Sequence, residues 1–221
     1  MLIARITSVV IGYICGLFLS GYFYGKTKNV DVREMGSGNV GTTNTLRNLG
    51  WKAGAVTLIG DIGKVFVAIF VTWLIFHNKY PQVVWLFEVY AGFGAVIGHD
   101  FPVYMKFKGG KGIASTGGMV LGLCPFAAPV SLGLFILMVL ITGYVSLGSI
   151  LGLISLFLQV ILFGEMGLFH VPNAYLPEVY ILFGLLALLG IVKHHENIKR
   201  LLNGTENKFG SKKKHLQSES E

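Results

Sequence analysis

Residues 113–164 read IASTGGMVLGLCPFAAPVSLGLFILMVLITGYVSLGSILGLISLFLQVILFG, fifty-two residues with no charged side chain. About 20 apolar residues span the hydrocarbon core of a bilayer as a helix, so this block is too long for one pass. It carries breaks at Cys124-Pro125 and at Thr142-Gly143-Tyr144, where proline and glycine interrupt helix. Two passes or three fit the length, and the choice sets the topology of the whole chain.

Apolar runs at 3–24, 53–76, 83–98 and 176–192 flank the block. Of the 18 Lys and Arg, five lie in 25–52, three in 99–112 and seven from Lys193 onward. Basic loops stay on the cytoplasmic side. An even number of passes must therefore separate the last two clusters, which gives the block three and the chain seven. The N-terminus is then outside, and the C-terminus and the three basic loops cytoplasmic. The first helix of the block, at 113–123, is half the usual length, so it must tilt, sink into protein or thin the bilayer.

The 221-residue composition agrees: 53% hydrophobic and only 13% charged, against about 25% in soluble domains. This excludes a soluble enzyme. The net charge of +7 reads as cytoplasmic loop bias and attraction to anionic headgroups rather than nucleic-acid binding. Cys15 and Cys124 sit in apolar runs and act as small hydrophobes. The first run ends in Ser20-Gly21-Tyr22-Phe23, aromatic where signal cleavage needs small residues, so it is retained as a helix. Residues 1–209 form one transmembrane domain, and the polar tail 210–221 is expected to stay unfolded.

The three basic segments hold nearly all the side chains capable of chemistry, on one face of the membrane. The first contains Gly36-Ser37-Gly38-Asn39-Val40-Gly41-Thr42-Thr43-Asn44-Thr45-Leu46-Arg47. Its glycines, amides, hydroxyls and guanidinium suit phosphate oxygens, or form a plain glycine-rich turn. No strand precedes its G-x-G-x-x-G, so a dinucleotide fold is rejected. In the second, Gly98-His99-Asp100-Phe101-Pro102 leads to Phe107-Lys108-Gly109-Gly110-Lys111-Gly112. Lys111 precedes glycine, not Ser or Thr, so this is not a Walker A loop; Lys111 can hold a phosphate as a point charge or snorkel at the membrane edge.

The third, Lys193-His194-His195-Glu196-Asn197-Ile198-Lys199-Arg200-Leu201 with Gly204 and Glu206, extends the last span. His194 and Asn197 share a helical face; adjacent His194 and His195 do not, which argues against a two-histidine metal site. The sequon Asn203-Gly204-Thr205 falls on the cytoplasmic side and is discounted. Within the bilayer, Lys64 lies about 16 Å along the second span from Ala53, one turn after Asp61. Intramembrane charges mark function by default, or this pair neutralises itself. Ser146 and Ser149 bond either a ligand or their own helix.

Taken together these segments resemble the bacterial acyl-phosphate-dependent glycerol-3-phosphate acyltransferases, seven-span membrane enzymes with three cytoplasmic motifs. The first motif resembles Gly36-Ser37-Gly38-Asn39 with Gly41, Asn44 and Arg47. The second resembles Gly98-His99, Pro102, Phe107 and Gly109-Gly110-Lys111-Gly112, and the third His194, Asn197-Ile198, Arg200-Leu201, Gly204 and Glu206. The similarity runs from 2 to 208 and includes Asp61, Lys64 and the stretch Tyr144 to Ser149. Gly143 and His195 depart from it, each standing where relatives often carry Arg.

The resemblance implies transfer of a long-chain acyl group from acyl phosphate to the 1-hydroxyl of glycerol 3-phosphate, giving 1-acylglycerol 3-phosphate and phosphate. It implies a bacterial cell membrane, no cofactor and no metal. His194, Lys111 and Asn197 are the expected catalytic residues. Ser37, Gly38, Asn39, Gly41, Asn44, Arg47, His99, Gly109, Gly110, Gly112, Ser149, Arg200 and Glu206 are the expected substrate contacts. The anhydride is already activated, so no acyl-enzyme is needed, and the proton goes to the donor phosphate or to His194. None of the histidines at 77, 99, 170, 194, 195 and 215 has Asp five residues on, which excludes the acyltransferases that use that pair. A transporter or flippase for a phosphorylated solute is the competing reading. Such proteins bind near the midplane between inverted repeats, and this chain shows no repeat and keeps its motifs on one face. Acyl-chain length, oligomeric state and tolerance of other acyl donors are not written in these residues.

Overall fold

The structure is a computed structural model that describes residues 1–210. Apart from Gly210, the tail expected to be unfolded lies outside the described residues. Those residues form ten α-helices joined by turns, with no strand among them.

The fifty-two-residue block breaks where its sequence says it should. Helix α6, Ile113–Leu123, ends before Pro125, and α7, Ala128–Thr142, ends on Gly143, whose φ of 77° is the left-handed cap that glycine adopts without penalty. Helix α8, Val145–Glu165, follows. Three helices result, of which the second and third, over Pro125–Thr142 and Val145–Glu165, are long and apolar enough to cross a bilayer. The short α6 is sunk in protein: Ser115, Thr116, Gly118, Met119, Val120 and Leu123 are all buried. Helix α7 buries none of its residues.

The remaining apolar runs form α4, Trp51–Phe76, α5, Val84–Asp100, and α9, Leu176–Lys193. The run at 3–24 departs from expectation. It divides into α1, Leu2–Gly16, and α2, Ser20–Thr27. Five segments are long and apolar enough to cross a bilayer: Leu2–Thr27, Trp51–Phe76, Pro125–Thr142, Val145–Glu165 and Asn173–Lys193.

Helix α5 is the centre of the bundle. Twelve of its seventeen residues are buried, as expected of a helix apolar on all sides. Its tightest neighbour is α1, and the reason is small residues. A Cβ at Gly12 or Gly16 would collide with the carbonyls of Ala91 or Ala95, and one at Gly94 or Gly98 with those of Val9 or Tyr13. Two small-xxx-small pairs thus let the backbones touch.

At the end of the bundle away from the motifs, Arg5 on α1 donates from Nε and Nη2 to the two oxygens of Glu178 on α9, at 2.7 and 2.6 Å. Tyr90 on α5 donates to the same carboxylate at 2.8 Å. The guanidinium also lies over the rings of Tyr90 and Tyr175.

Candidate active site

The motif side is built on two short helices and a turn. Helix α3, Thr42–Leu49, follows the first glycine segment, and α10, His195–Leu202, follows the last span. Here the structure corrects the expectation that the third segment simply extends that span: the helix ends at Lys193 and restarts after His194. The kink turns His194 and Asn197 inward, leaving them 3% and 8% exposed.

In the first segment, Gly36 and Gly38 take φ of 57° and 70°, which glycine tolerates best. Asn44, buried, organises the loop. Its Oδ1 accepts from the amide and hydroxyl of Ser37 at 3.0 and 3.2 Å, and its Nδ2 donates to the carbonyls of Val32 and Met35. Asn39 accepts from the Gly41 amide at 2.8 Å. Asn44 and Asn39 therefore shape the loop, while Ser37 and Gly38 stay exposed. Arg47 is half-buried, with no side-chain partner among the described residues.

The first and second segments are fastened together. Val32 and Val40 of the first loop form an apolar cluster with Leu19 and with Met105 of the second. Tyr104 donates to the Leu17 carbonyl at 2.7 Å, in the break between α1 and α2. The glycine turn folds back over the end of α5: Gly109 and Gly110 donate their amides to the carbonyls of Asp100 and His99. Either glycine with a Cβ would strike His99.

Lys111 joins the second segment to the third. Its ammonium donates to Asn197 Oδ1; Asn197 Nδ2 donates to Glu206 Oε1 at 2.9 Å, and Arg200 Nε to Glu206 Oε2 at 2.8 Å. Two cations thus share one carboxylate. Burial, then the charges of Arg200 and Lys193, push the Lys111 ammonium down to about 8, against the pull of Glu206. Burial and the Lys111 charge lower His194 to about 4. His194 Nδ1 lies 2.6 Å from the Gly190 carbonyl. A carbonyl only accepts, so the proton is on Nδ1 and Nε2 keeps its lone pair. The chain beyond α10 returns to the α7–α8 turn, where the Phe209 amide donates to Gly143 O at 2.7 Å.

Other expected residues sit differently. Ser149 is buried and donates to Val145 O of its own helix at 2.9 Å. Ser146 is buried with no partner for its hydroxyl, and Thr42 and Ser115 share that state. His99, 3% exposed, lies inward against α4. Sequence reasoning passed over Asp100, fully buried with both carboxylate oxygens unpartnered beside Gly112. Its only signal was its place next to His99. Among the described residues no three His, Cys, Asp or Glu side chains gather as a metal site. The arrangement is a set of cations and donors around polar ground, able to hold phosphate and to receive a proton.

A family model described as glycerol-3-phosphate acyltransferase matches residues 6–204. A protein of that name from Thermosipho melanesiensis is 38% identical over 203 residues, covering 92% of each chain. One from Trichlorobacter lovleyi is 39% identical over 197 residues, covering 89% of this chain and 93% of that one. Among solved structures, the glycerol 3-phosphate form of PlsY (YgiH), an integral membrane glycerol 3-phosphate acyltransferase, superposes with a TM-score of 0.79 at 35% identity. It covers 93% of this chain and 96% of that one. The lysophosphatidic acid form gives 0.77 at 34%, over 93% and 95%.

Proposed function

The chain belongs to the glycerol-3-phosphate acyltransferase family, and on that premise we propose that its three loops form one site at which acyl phosphate and glycerol 3-phosphate meet. The enzyme moves the acyl group to the 1-hydroxyl, giving lysophosphatidic acid and phosphate, the first step of phospholipid synthesis. The observation that carries the site is the hydrogen-bonded run from Lys111 through Asn197 to Glu206 and Arg200. It brings together residues 86 apart in sequence.

Each substrate carries a phosphate of charge up to about −2. Lys111, Arg200 and Arg47, with Ser37 at the glycine turns, supply the cations and donors that two such groups need. Glu206 and Asn197 hold Lys111 and Arg200 in place until phosphate takes over part of their hydrogen bonding. The hydroxyl of glycerol 3-phosphate attacks the carbonyl carbon of the mixed anhydride. The C–O bond to phosphate breaks, and the hydroxyl proton passes to the departing phosphate or to Nε2 of His194. In the empty site His194 is neutral; an arriving phosphate dianion favours the imidazolium and raises its proton affinity as the hydroxyl is presented. Charge developing on the carbonyl oxygen is met by Lys111.

A donor with a long apolar tail enters from the lipid, with its anhydride at headgroup level. The protein is embedded in the membrane. We read α5 and α6 as the two passes beyond the five long segments, with the N-terminus outside and the loops and C-terminus cytoplasmic in a bacterial cell membrane. Residues 1–209 serve as one working unit.

The test is product formation by purified protein. Palmitoyl phosphate with glycerol 3-phosphate should yield phosphate and lysophosphatidic acid in equal amounts, and palmitoyl-CoA should yield neither. Well-folded protein that forms no product from any donor would refute the acyltransferase reading and favour transport.

A further inference from the structure

Asp61 and Lys64 do more than cancel each other's charge. Lys64 Nζ donates to Asp61 Oδ1 at 3.0 Å and to the carbonyl of Phe18 at 3.0 Å, where the first span breaks, with the Gly16 carbonyl farther off at 3.3 Å. Ser20, at the start of α2, donates to the same Asp61 oxygen at 3.2 Å. The third ammonium proton points to Nδ1 of His99, at 2.7 Å, closer than the 3.6 Å that separates the same nitrogen from Asp61 Oδ1. An ammonium has no lone pair, so His99 Nδ1 must accept and the ring proton must sit on Nε2. That nitrogen faces the glycine turn: a Cβ on Gly110 would collide with Nε2. No hydrogen bond among the described residues occupies it. Gly110 immediately precedes Lys111.

We infer that Lys64 is a positioning residue for the reaction, fixing His99 as the Nε2–H tautomer so that the imidazole seats the Gly109–Gly110–Lys111 turn, and with it Lys111, where phosphate is held. Asp61 and the broken first span fix the ammonium in turn, as outer partners fix the tautomer of a metal-bound histidine. The break between α1 and α2 thereby acquires a purpose: it frees the Phe18 carbonyl to anchor Lys64. Glycine at 110 is required because the ring nitrogen must lie at the loop backbone with no side chain between. The use of that turn in catalysis rests on the phosphate-site reading above; the tautomer itself does not.

Two measurements test this. Nitrogen NMR of the full-length protein with isotope-labelled histidine, its His99 signals assigned by their loss in His99→Asn, reads the tautomer without substrate. Wild type should show a protonated Nε2 and a bare Nδ1 at neutral pH. A protonated Nδ1 in wild type would overturn the inference, whatever the variants do. Kinetics then separate positioning from charge balance. Lys64→Met leaves Asp61 uncompensated, whereas Asp61→Asn with Lys64→Met removes the pair together. If the pair only neutralises itself, the double variant regains activity within about twofold of wild type, and the inference fails. If Lys64 positions His99, kcat/KM for glycerol 3-phosphate stays down about tenfold or more in both, with the Nε2–H signal lost. An enzyme inactive in every form but with the expected tautomer, lost on Lys64→Met, would break the functional reading and leave the positioning of His99 standing.

Discussion

The two ends of this bundle are both tied by charged hydrogen bonds between distant helices, yet they differ in what they leave unused. At the far end Arg5 and Glu178 satisfy each other through two bonds, Tyr90 adds a third, and the charges cancel one to one. At the motif end Lys111 and Arg200 share the single carboxylate Glu206, the first of them through Asn197. Among the described residues Arg47 has no side-chain partner, and the hydroxyls of Thr42, Ser115 and Ser146 and the carboxylate of Asp100 are buried unpaired, as elsewhere in the bundle are Asp61 Oδ2, Thr72 Oγ1 and Gln159 Oε1. Buried polar groups are normally satisfied. A saturated cluster is a staple, and one with surplus cations and idle donors is a place kept for a ligand.

The largest break in this contrast should come from Lys111→Ala. It removes the cation that links two motifs, and kcat/KM should fall about 100- to 1000-fold in a phosphate-release assay. His194→Ala should cost less, about ten- to a hundredfold, because the donor phosphate can also take the proton. Near-normal turnover with an unchanged pH profile would remove His194 from the proton path. The pH dependence sharpens the picture further. With Lys111 at about 8 in the free site, the ammonium is present below that pH and lost above it. The kcat/KM for glycerol 3-phosphate should therefore fall as pH rises through about 8, and His194, at about 4, should stay neutral across the neutral range. Arg5→Gln should have the smallest catalytic effect, with activity within about twofold. It should lower the thermal midpoint by several degrees, from the loss of about 1–3 kcal/mol of charged hydrogen bonding.

Local chemistry was legible in the sequence. Pro125 and Gly143 divide the apolar block because proline lacks an N–H and glycine accepts the left-handed cap, and both act within their own turn. That the three motif segments gather at one end of the bundle followed from counting Lys and Arg. What long-range contacts decide was not legible. The first span breaks near Leu17, where the Phe18 carbonyl accepts from Lys64, 46 residues on, while the run itself reads as continuous helix. The last span kinks at His194, with no proline or glycine to announce it. His99 was singled out by its motif, but its inward position depends on Lys64 and Gly110. Ser149 matched its motif equally well and spends its hydroxyl on its own helix.

The most direct test of the central claim, that the three loops form one phosphate site, is calorimetric titration of glycerol 3-phosphate into purified wild type, Lys111→Ala and Arg5→Gln. Affinity should drop at least about tenfold in Lys111→Ala and hold within about twofold in Arg5→Gln. Equal affinity in all three would contradict it, because a cation at the junction of two motifs would then make no contact with the phosphate it is placed to hold.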